Sequence, residues 1–185
     1  GLELTPSWTV ESDQVDAYMG SRTGVSTAGD VNNDGYDDII ISARDYDSGE
    51  TDEGIAYVYL GSASGLSITP TWTIEGDQEG ARFGYSVSNA GDVNGDGYDD
   101  VIVGARDYAV TYSDEGAAFV YYGSATGVIT TPAWIGSSGQ EGAKYGISVS
   151  TAGDINGDGY SDIVVGAATY ENTVSGESQE GAAFI

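Results

Sequence analysis

The 185-residue sequence contains no cysteine and no histidine. The absence of cysteine excludes disulfides and a thiol nucleophile, so redox chemistry does not indicate a compartment. The absence of histidine excludes Ser-His-Asp catalysis, histidine-ligated zinc and imidazole general-base chemistry. No apolar run approaches the roughly 20 residues of a membrane-spanning helix, and we therefore expect no membrane insertion.

Basic residues are also scarce, since 5 of them stand against 30 acidic residues and the net charge is −25. Such a field disfavours nucleic acids and anionic membranes, and it favours cations or basic partners. Solubility or a saline habitat is the alternative explanation for most of the acidic excess. Proline is limited to 3 residues while glycine reaches 29, which indicates many turns within a folded chain.

The sequence does contain an internal repeat, because Gly29, Gly91 and Gly153 open near-copies of one acidic segment at intervals of 62 residues. The copies are GDVNNDGYDD at 29, GDVNGDGYDD at 91 and GDINGDGYSD at 153. TPSW, TPTW and TPAW precede them at 5, 69 and 131, and EGIA, EGAA and EGAA follow at 53, 115 and 180. Such periodicity indicates a protein built from equal structural units.

Each repeat predicts four short β-strands. A segment before the acidic loop, a continuous β-branched run after it, and a segment following the EG pair make the first three. The fourth-strand segments are PSWTVE at 6, PTWTIE at 70 and PAWIGS at 132. No segment has sustained 3.6-residue periodicity, so we expect almost no helix. The chain is therefore predicted to be all-β, with propeller blades of four antiparallel strands.

The phase of the repeat leaves the last blade without its outer strand. Within a single unit of residues 1–185, we expect residues 1–10 to complete another blade, 11–75 to form blade 1, 76–136 blade 2 and 137–185 blade 3. Three blades are fewer than the roughly four to eight that propellers use. Two explanations stay open. The chain, which opens on Gly1 rather than Met, is a fragment or a processed form, or two copies exchange strands as a homodimer and close a six-bladed ring.

Oxygen-bearing side chains alternate along the acidic loop. Numbered from its first aspartate, the loop has aspartate at positions 1, 5 and 9, asparagine at 3, glycine at 6 and tyrosine at 7. These side chains, with the backbone carbonyl of position 7, suit a hard cation that takes about six to eight oxygen ligands. We predict one Ca²⁺ per repeat and three per chain. The predicted ligands are Asp30, Asn32, Asp34, Tyr36 and Asp38, then Asp92, Asn94, Asp96, Tyr98 and Asp100, and finally Asp154, Asn156, Asp158, Tyr160 and Asp162.

Two alternatives to a calcium loop are an EF-hand and a metal-free turn. An EF-hand requires glutamate at position 12, where this chain has Ile41, Val103 and Val165. A hairpin of Asx-turns without metal would leave several carboxylates repelling one another within one turn. The recurrence of the same oxygens in all three copies therefore favours calcium.

Position 8 of the loop is the acidic position that is not kept in all three copies. It is Asp37 in the first copy, Asp99 in the second and Ser161 in the third. Because a required ligand is not expected to become serine while all the others persist, position 8 is left out of the ligand set.

The motifs together resemble a known family. Phe83-Gly84, the D-x-N-x-D-G-x-x-D loop and the EGAA segment at 115 are similar to the FG-GAP repeat of integrin α-subunit β-propellers and their bacterial relatives. The first and third copies have Met19-Gly20 and Tyr145-Gly146 in place of Phe-Gly, and EGIA or EGAA replaces Gly-Ala-Pro. In that family the calcium lies in a blade loop on one face of the propeller. The resemblance therefore implies that the three loops share one face.

The leading functional hypothesis is a scaffold, not an enzyme. We expect calcium to be structural, the location to be extracellular or the cell surface, and the ligand to be a protein or a glycan bound in adhesion. A polysaccharide hydrolase or lyase acting through Glu53, Glu115 and Glu180 is disfavoured, because these glutamates recur with the repeat whereas active sites break symmetry.

Two further hypotheses concern binding and assembly. Trp8, Trp72 and Trp134 occur once per repeat and are candidates for sugar-stacking platforms in a lectin-like module. Aromatic packing at the outer strand of each blade is the simpler interpretation. Alternatively, the chain is a self-assembling repeat protein, natural or engineered, that forms a ring without a ligand.

Overall fold

The computed structural model describes residues 5–172 and 180–185. The described residues form eleven β-strands in three antiparallel sheets, and no helix among them is long and apolar enough to span a bilayer. Blade 1 is the sheet β1–β4, blade 2 is β5–β8 and blade 3 is β9–β11, and each strand pairs with its neighbour in sequence. The strands are β1 Val25–Gly29, β2 Asp38–Ala43, β3 Ile55–Tyr59, β4 Trp72–Glu75, β5 Phe83–Gly91, β6 Asp100–Ala105, β7 Ala117–Tyr121, β8 Trp134–Ser137, β9 Tyr145–Gly153, β10 Asp162–Ala167 and β11 Ala182–Phe184. The prediction of all-β propeller blades is confirmed.

The second strands of blades 1 and 2 are almost wholly buried, as are the third strands β3 and β7. Every residue of β6 is buried, and β2 is buried at all positions except Ile39. Such strands have neighbours on both edges and packed layers on both faces, which is why their sequences are continuous apolar runs. Strand β10 is only partly buried, because within the described residues blade 3 has a neighbouring blade on one side alone.

The main core lies between blades. Phe83 and Val87 of β5 pack with Ile40 and Val58 of blade 1 and with Phe119 of β7. The rings of Phe83 and Phe119 meet edge to face at 5.4 Å, a preferred geometry for aromatic pairs. Burial between blades therefore holds the sheets to one another.

The EG and FG elements form the joint between consecutive blades. Phe83 N, in blade 2, donates to Glu53 O of blade 1 at 2.8 Å, and Tyr145 N donates to Glu115 O at 2.9 Å between blades 2 and 3. Gly54 has φ +81°, and a Cβ there would lie 2.2 Å from Phe83 O. Glycine is required at this point because the two backbones approach too closely for any side chain.

The tryptophan-containing segment at 6–11 forms no strand within the single chain, where residues 5–24 contain isolated bridges only. Because the expected strand would complete another blade, it stays a prediction. A strand needs a partner edge, and β4 already occupies the outer edge of blade 1. Trp8 nevertheless packs edge to face on Tyr59 at 5.1 Å, as Trp72 packs on Tyr121 of blade 2 at 5.0 Å. Trp8 therefore contacts blade 1 as the fourth-strand tryptophan of a preceding blade would.

Candidate metal-binding loops

Each acidic loop joins the first strand of a blade to the second. The pairing shifts register beside the loop in all three blades, and the loop begins at a glycine with positive φ: 78° at Gly29, 73° at Gly91 and 67° at Gly153. A β-bulge with glycine in the left-handed region turns the chain out of the sheet. The three loops therefore occupy the same end of their blades.

Side chains at positions 1, 3 and 5 hold the backbone of the loop. Asp30 Oδ1 accepts a hydrogen bond from Asp34 N at 3.0 Å, and Asp30 Oδ2 accepts one from Gly35 N at 2.8 Å. Asn32 Oδ1 also accepts from Asp34 N at 3.1 Å, and Asp34 Oδ1 accepts from Tyr36 N at 3.0 Å. Loops 2 and 3 repeat this pattern around Asp92 and Asp154.

The pKa of Asp154 lies below its ordinary value, because the N–H groups of Gly159 and neighbouring loop residues donate to its carboxylate. The first aspartate of the third loop is thus ionised at neutral pH, as a cation ligand must be.

The position-9 aspartate fastens each loop to the blade. Asp38 Oδ2 accepts from Val31 N at 2.9 Å and Oδ1 from Gly61 N at 2.8 Å, and Asp100 makes the equivalent bonds to Val93 N and Gly123 N. Both carboxylates are fully buried. In the third loop, Asp162 is only partly buried and accepts from Ile155 N at 2.9 Å.

Burial has a clear electrostatic consequence at position 9. It raises the pKa of Asp100 to about 6, although the N–H groups of Gly123 and Val93 oppose the shift. Burial raises the pKa of Asp38 in the same way, with Asp30 and Asp34 adding repulsion. A carboxylate held in this way is one that nearby positive charge would stabilise in its ionised form.

The donor set fits a hard divalent cation. Every predicted side-chain ligand offers oxygen, and a hydrogen-bonded carboxylate oxygen keeps a further lone pair for a metal. Most of the loop surface is exposed, which leaves an entry path. The five predicted residues of each repeat lie in one loop, although the oxygens of its three aspartates do not all come within 4.8 Å of one another.

Another acidic group was missed by reasoning from the sequence. Within the described residues, Glu53, Glu75 and Asp77 are the one set of three acidic side chains whose oxygens all lie within 4.8 Å of one another. They lie at the opposite ends of the strands from the acidic loops. Comparison of the repeats does not reveal this group, because Ser137 and Gly139 occupy the positions of Glu75 and Asp77 in the second copy.

The recurring glutamates close turns. Glu53 Oε1 accepts from three successive backbone N–H groups, at residues 48, 49 and 50, within 2.7–3.3 Å. Glu115 accepts in the same way from the N–H groups of Thr111 and Tyr112. Burial alone would raise the pKa of Glu115, but these bonds outweigh it and lower the pKa. Both glutamates thus hold the turn that precedes the third strand of their blade.

Position 8 has a role that the ligand argument did not predict. Asp99 Oδ2 accepts from Asp30 N at 2.9 Å, and Asp99 N donates to Asp30 O at 3.2 Å. Ser161 N likewise donates to Asp92 O at 2.9 Å. Position 8 therefore links the loops of consecutive blades. The sequence contains no signal for this role, because it depends on which loops become neighbours.

The tryptophans do not form a set of equivalent platforms. Trp72 is only 3% exposed and Trp8 is partly buried, whereas Trp134 is 42% exposed. Trp134 lines a cavity of about 390 Å³ together with Val120 and Ile185. The burial of Trp72 speaks against sugar stacking at every repeat.

Comparison with known proteins agrees with this architecture. The family model described as FG-GAP repeat matches residues 22–59, 83–121 and 145–182. Each matched segment starts before the first strand of a blade or at it, and includes that blade's acidic loop.

Integrin α-subunits are among the similar proteins. The chain is 32% identical to integrin alpha-5 of Xenopus laevis over 184 residues, which is 94% of this chain and 17% of that protein. It is 37% identical to integrin alpha pat-2 of Caenorhabditis briggsae over 174 residues, or 84% of this chain and 14% of that protein. The chain thus spans only a small part of the length of these relatives. Because the repeat model matches more than half of its residues, the chain belongs to the FG-GAP repeat family.

Proposed function

We propose that this chain is a calcium-stabilised FG-GAP propeller scaffold for binding or adhesion, acting outside the cell or at its surface. The observation that carries the proposal is the recurrence, in three blades, of an all-oxygen loop ending in an aspartate that is anchored to the blade. The similarity to integrin α-subunits supports the adhesive role and the location. A protein or a glycan is the expected ligand.

Calcium would be held by the residues at positions 1, 3, 5, 7 and 9 of each loop. When bound, the ion supplies the positive charge that offsets repulsion among the carboxylates. Asp38 accepts from Gly61 N, just after β3, and Asp100 accepts from Gly123 N, just after β7. Each carboxylate thus connects its loop to the segment that follows the third strand of the blade. Ordering of the loop is therefore coupled to the packing of the whole blade, and the role of calcium is structural.

Thermal melting with and without a chelator tests this function. A ligand present at about 100 times its Kd stabilises the folded state by about 2.7 kcal/mol per site. For a chain of this size, that corresponds to a fall in Tm of about 5–10 °C per emptied site. We expect EGTA to lower Tm and excess Ca²⁺ to restore it. An unchanged Tm would contradict the proposal.

Loop variants sharpen the test. Asp96→Asn changes a predicted ligand, and calorimetric titration should then count two calcium ions per chain in place of three. Asp37→Asn is the matched control, because Asp37 carries the same charge at a position outside the predicted ligand set. Loss of a site in the control, or retention of all three sites in Asp96→Asn, would overturn the ligand assignment.

We also propose that two copies form a homodimer by strand exchange. The specific observation is that Trp8 packs on Tyr59 with its Nε1 donating to Ser67 O at 2.9 Å, although its segment is not a strand. In a ring, the same segment would pair with β11 of a second copy while keeping this contact. Each chain would then complete the third blade of the other.

Light scattering tests the assembly. We expect the mass of a dimer, reduced to that of a monomer by Trp8→Ala, while Thr9→Ala, at an exposed neighbouring position, leaves the dimer intact. A stable monomer for the unaltered chain at micromolar concentration would rule out strand exchange.

A further inference from the structure

The basic residues of this acidic protein gather in one place. The whole chain has 5 of them, and all lie at the strand ends opposite the acidic loops. They are Arg22 before β1, Arg44 after β2, Arg82 before β5, Arg106 after β6 and Lys144 before β9. A chain of net charge −25 thus presents a concentrated positive region on one face.

Tyr85 lies at the centre of this region. The Cζ atoms of Arg22, Arg44 and Arg106 lie 5.9, 5.6 and 4.6 Å from the centroid of its ring. Arg106 Nη1 also donates to Tyr85 Oη at 3.1 Å. Cation–π attraction holds each guanidinium near the ring, but it does not remove the repulsion among the three charges.

Part of the cluster has a structural role. Arg82 pairs with Asp45 at 3.1 Å and with Asp107 at 2.7 Å, and Lys144 pairs with Asp107 at 2.6 Å. The pairs Arg82–Asp45 and Lys144–Asp107 cross from blade to blade, and the ion pairs together account for Arg82 and Lys144. They leave the positions of Arg22 and Arg44 unexplained.

Arg22 and Arg44 carry charge that the fold does not need for its own pairing. Arg22 is exposed and has no carboxylate partner among the described residues. The ion pair of Arg44 among these residues is the one with the adjacent Asp45, at 3.2 Å. Because Asp45 is already shared with Arg82, the positive charge around Tyr85 exceeds the negative charge available there.

A cavity of about 160 Å³ opens in this region. It is lined by Arg22, Arg44, Asp45, Arg82, Tyr85 and Arg106. Its volume is that of about five water molecules and falls short of the roughly 300–1,000 Å³ of a drug-sized ligand site. The lining, with four guanidinium groups and one carboxylate, suits a small anionic group.

We propose that this basic pocket binds the carboxylate of an acidic side chain from a partner protein. Guanidinium groups match a carboxylate with two parallel hydrogen bonds, and among the described residues neither Arg22 nor the Nη groups of Arg44 pair with a carboxylate. A partner that inserts one side chain meets the local positive charge. An extended polyanion such as a nucleic acid would also meet the acidic remainder of the surface and be repelled.

Two further observations favour a protein partner. Tyr18 is 53% exposed and stacks on Arg44 at 5.0 Å, so the rim of the pocket combines the two residue types, tyrosine and arginine, that are enriched in protein interfaces. The pocket also breaks the symmetry of the repeats. Arg22 stands in the SRTG segment, which is two residues longer than the corresponding segments of the other copies, and Ile147 replaces Tyr85 in the third copy.

This inference rests on the proposed binding function, whose partner-binding surface it places on the face opposite the acidic loops. The experiment is an NMR titration of the intact, calcium-saturated chain, monitoring the arginine Nε–Hε signals. The probe is N-acetyl-aspartate N-methylamide, and the matched neutral probe is its asparagine analogue. We expect saturable shifts with the aspartate probe and none with the asparagine analogue.

Variants locate the binding. Arg22→Gln should weaken the binding of the aspartate probe about tenfold, as expected for losing a hydrogen bond between charged groups. Arg22→Lys keeps the charge but loses the two parallel donors of the guanidinium group. Its affinity for the aspartate probe should lie between those of Arg22→Gln and the unaltered chain. The charge-matched control is Ala63→Glu, at an exposed turn near the acidic loops. Because Arg22 is exposed, has no carboxylate partner among the described residues and contacts Tyr85 only at 5.9 Å, its variants should change the melting temperature little.

The outcomes are distinct. Equal binding by Arg22→Gln and Ala63→Glu, or equal shifts with both probes, would overturn the proposal. Inorganic phosphate binding as tightly as the aspartate probe would overturn the choice of a carboxylate in favour of a phosphate-bearing ligand. A Tm that does not change with calcium would contradict the calcium-stabilised scaffold but not the basic pocket, because the titration reports on the pocket independently of the loops.

Discussion

Lys144 Nζ lies 2.6 Å from Asp107 Oδ1 and so joins blade 3 to blade 2. Arg82 and Arg106 reach the other oxygen of the same carboxylate at 2.7 and 2.9 Å. Burial alone would raise the pKa of Asp107, but the bonds from Lys144, Arg106 and Arg82 together lower it below its ordinary value. One carboxylate thus neutralises cations from two blades.

The ionisation of Asp107 should appear in the pH dependence of stability. Because its pKa is lowered by folding, its contribution is fully present above the unfolded value of about 3.9 and is lost as pH falls through the folded value. We expect Asp107→Asn to lower the free energy of unfolding by about 3 kcal/mol at pH 7, since it removes the carboxylate that Arg106 pairs with and one of the two partners of Arg82 and of Lys144. Urea unfolding at pH 7, 5 and 3 measures this difference. It should stay constant from pH 7 to pH 5 and shrink at pH 3, and a difference that grows on acidification would contradict the assignment.

Asp99→Ala should destabilise the contact between the first two loops. The substitution removes the acceptor of Asp30 N and leaves that N–H without its charged partner. Because the site is partly exposed, we expect a loss of about 1–2 kcal/mol in chemical denaturation, the lower part of the range for hydrogen bonds to charged groups. The control is Asp37→Ala, at the same position of the first repeat, where the side chain is exposed. Equal effects of the two substitutions would show that the contact with Asp30 contributes nothing.

Glu53→Gln should weaken the turn before β3. The glutamine oxygen can still accept hydrogen bonds, but the charge assistance to the three N–H groups is lost, and we expect about 1.5–3 kcal/mol less stability. Glu50→Gln changes an exposed glutamate in the same turn and should leave stability within about 0.5 kcal/mol. If Glu53 served catalysis, its substitution would abolish an activity and spare the fold, so an unaltered Tm for Glu53→Gln would argue against the turn-closing role.

Gly54→Ala should break the joint between blades 1 and 2. The added Cβ would meet Phe83 O at 2.2 Å in a residue whose φ is +81°. The strained backbone and the steric clash each destabilise by about 1–3 kcal/mol. Gly49→Ala is the matched control, because a Cβ there meets nothing within 4 Å. Thermal melting compares the two, and a Gly54→Ala protein as stable as the control would mean that the blades do not meet as described.

The repeat made most of the fold predictable from the sequence. The β-branched runs became the buried second strands, and Ile41, Val103 and Val165 lie within them, as expected when the EF-hand was rejected. The strand at 6–11 stays a prediction, because local β-propensity cannot supply a partner edge and the expected edge belongs to another blade. The three calcium ions stay a prediction.

The features that the sequence did not predict depend on contacts between blades. Asp99 was set aside because its copies differ, although it bonds the preceding loop. The grouping of Arg22 and Arg44 around Tyr85 joins residues far apart in sequence, and no local pattern indicates it. The repeats predict the features that all blades share, but they do not predict contacts at positions where the blades differ.

The joint between Glu53, Gly54 and Phe83 also bears on how such a chain grows. It is made mostly of backbone groups, and a complete repeat carries both halves, one at its first strand and the other just before its third. Duplicating a whole repeat would therefore deliver a finished joint on both sides, whereas inserting part of a repeat would destroy one. The gene for such a protein is expected to lengthen or shorten in whole-blade steps.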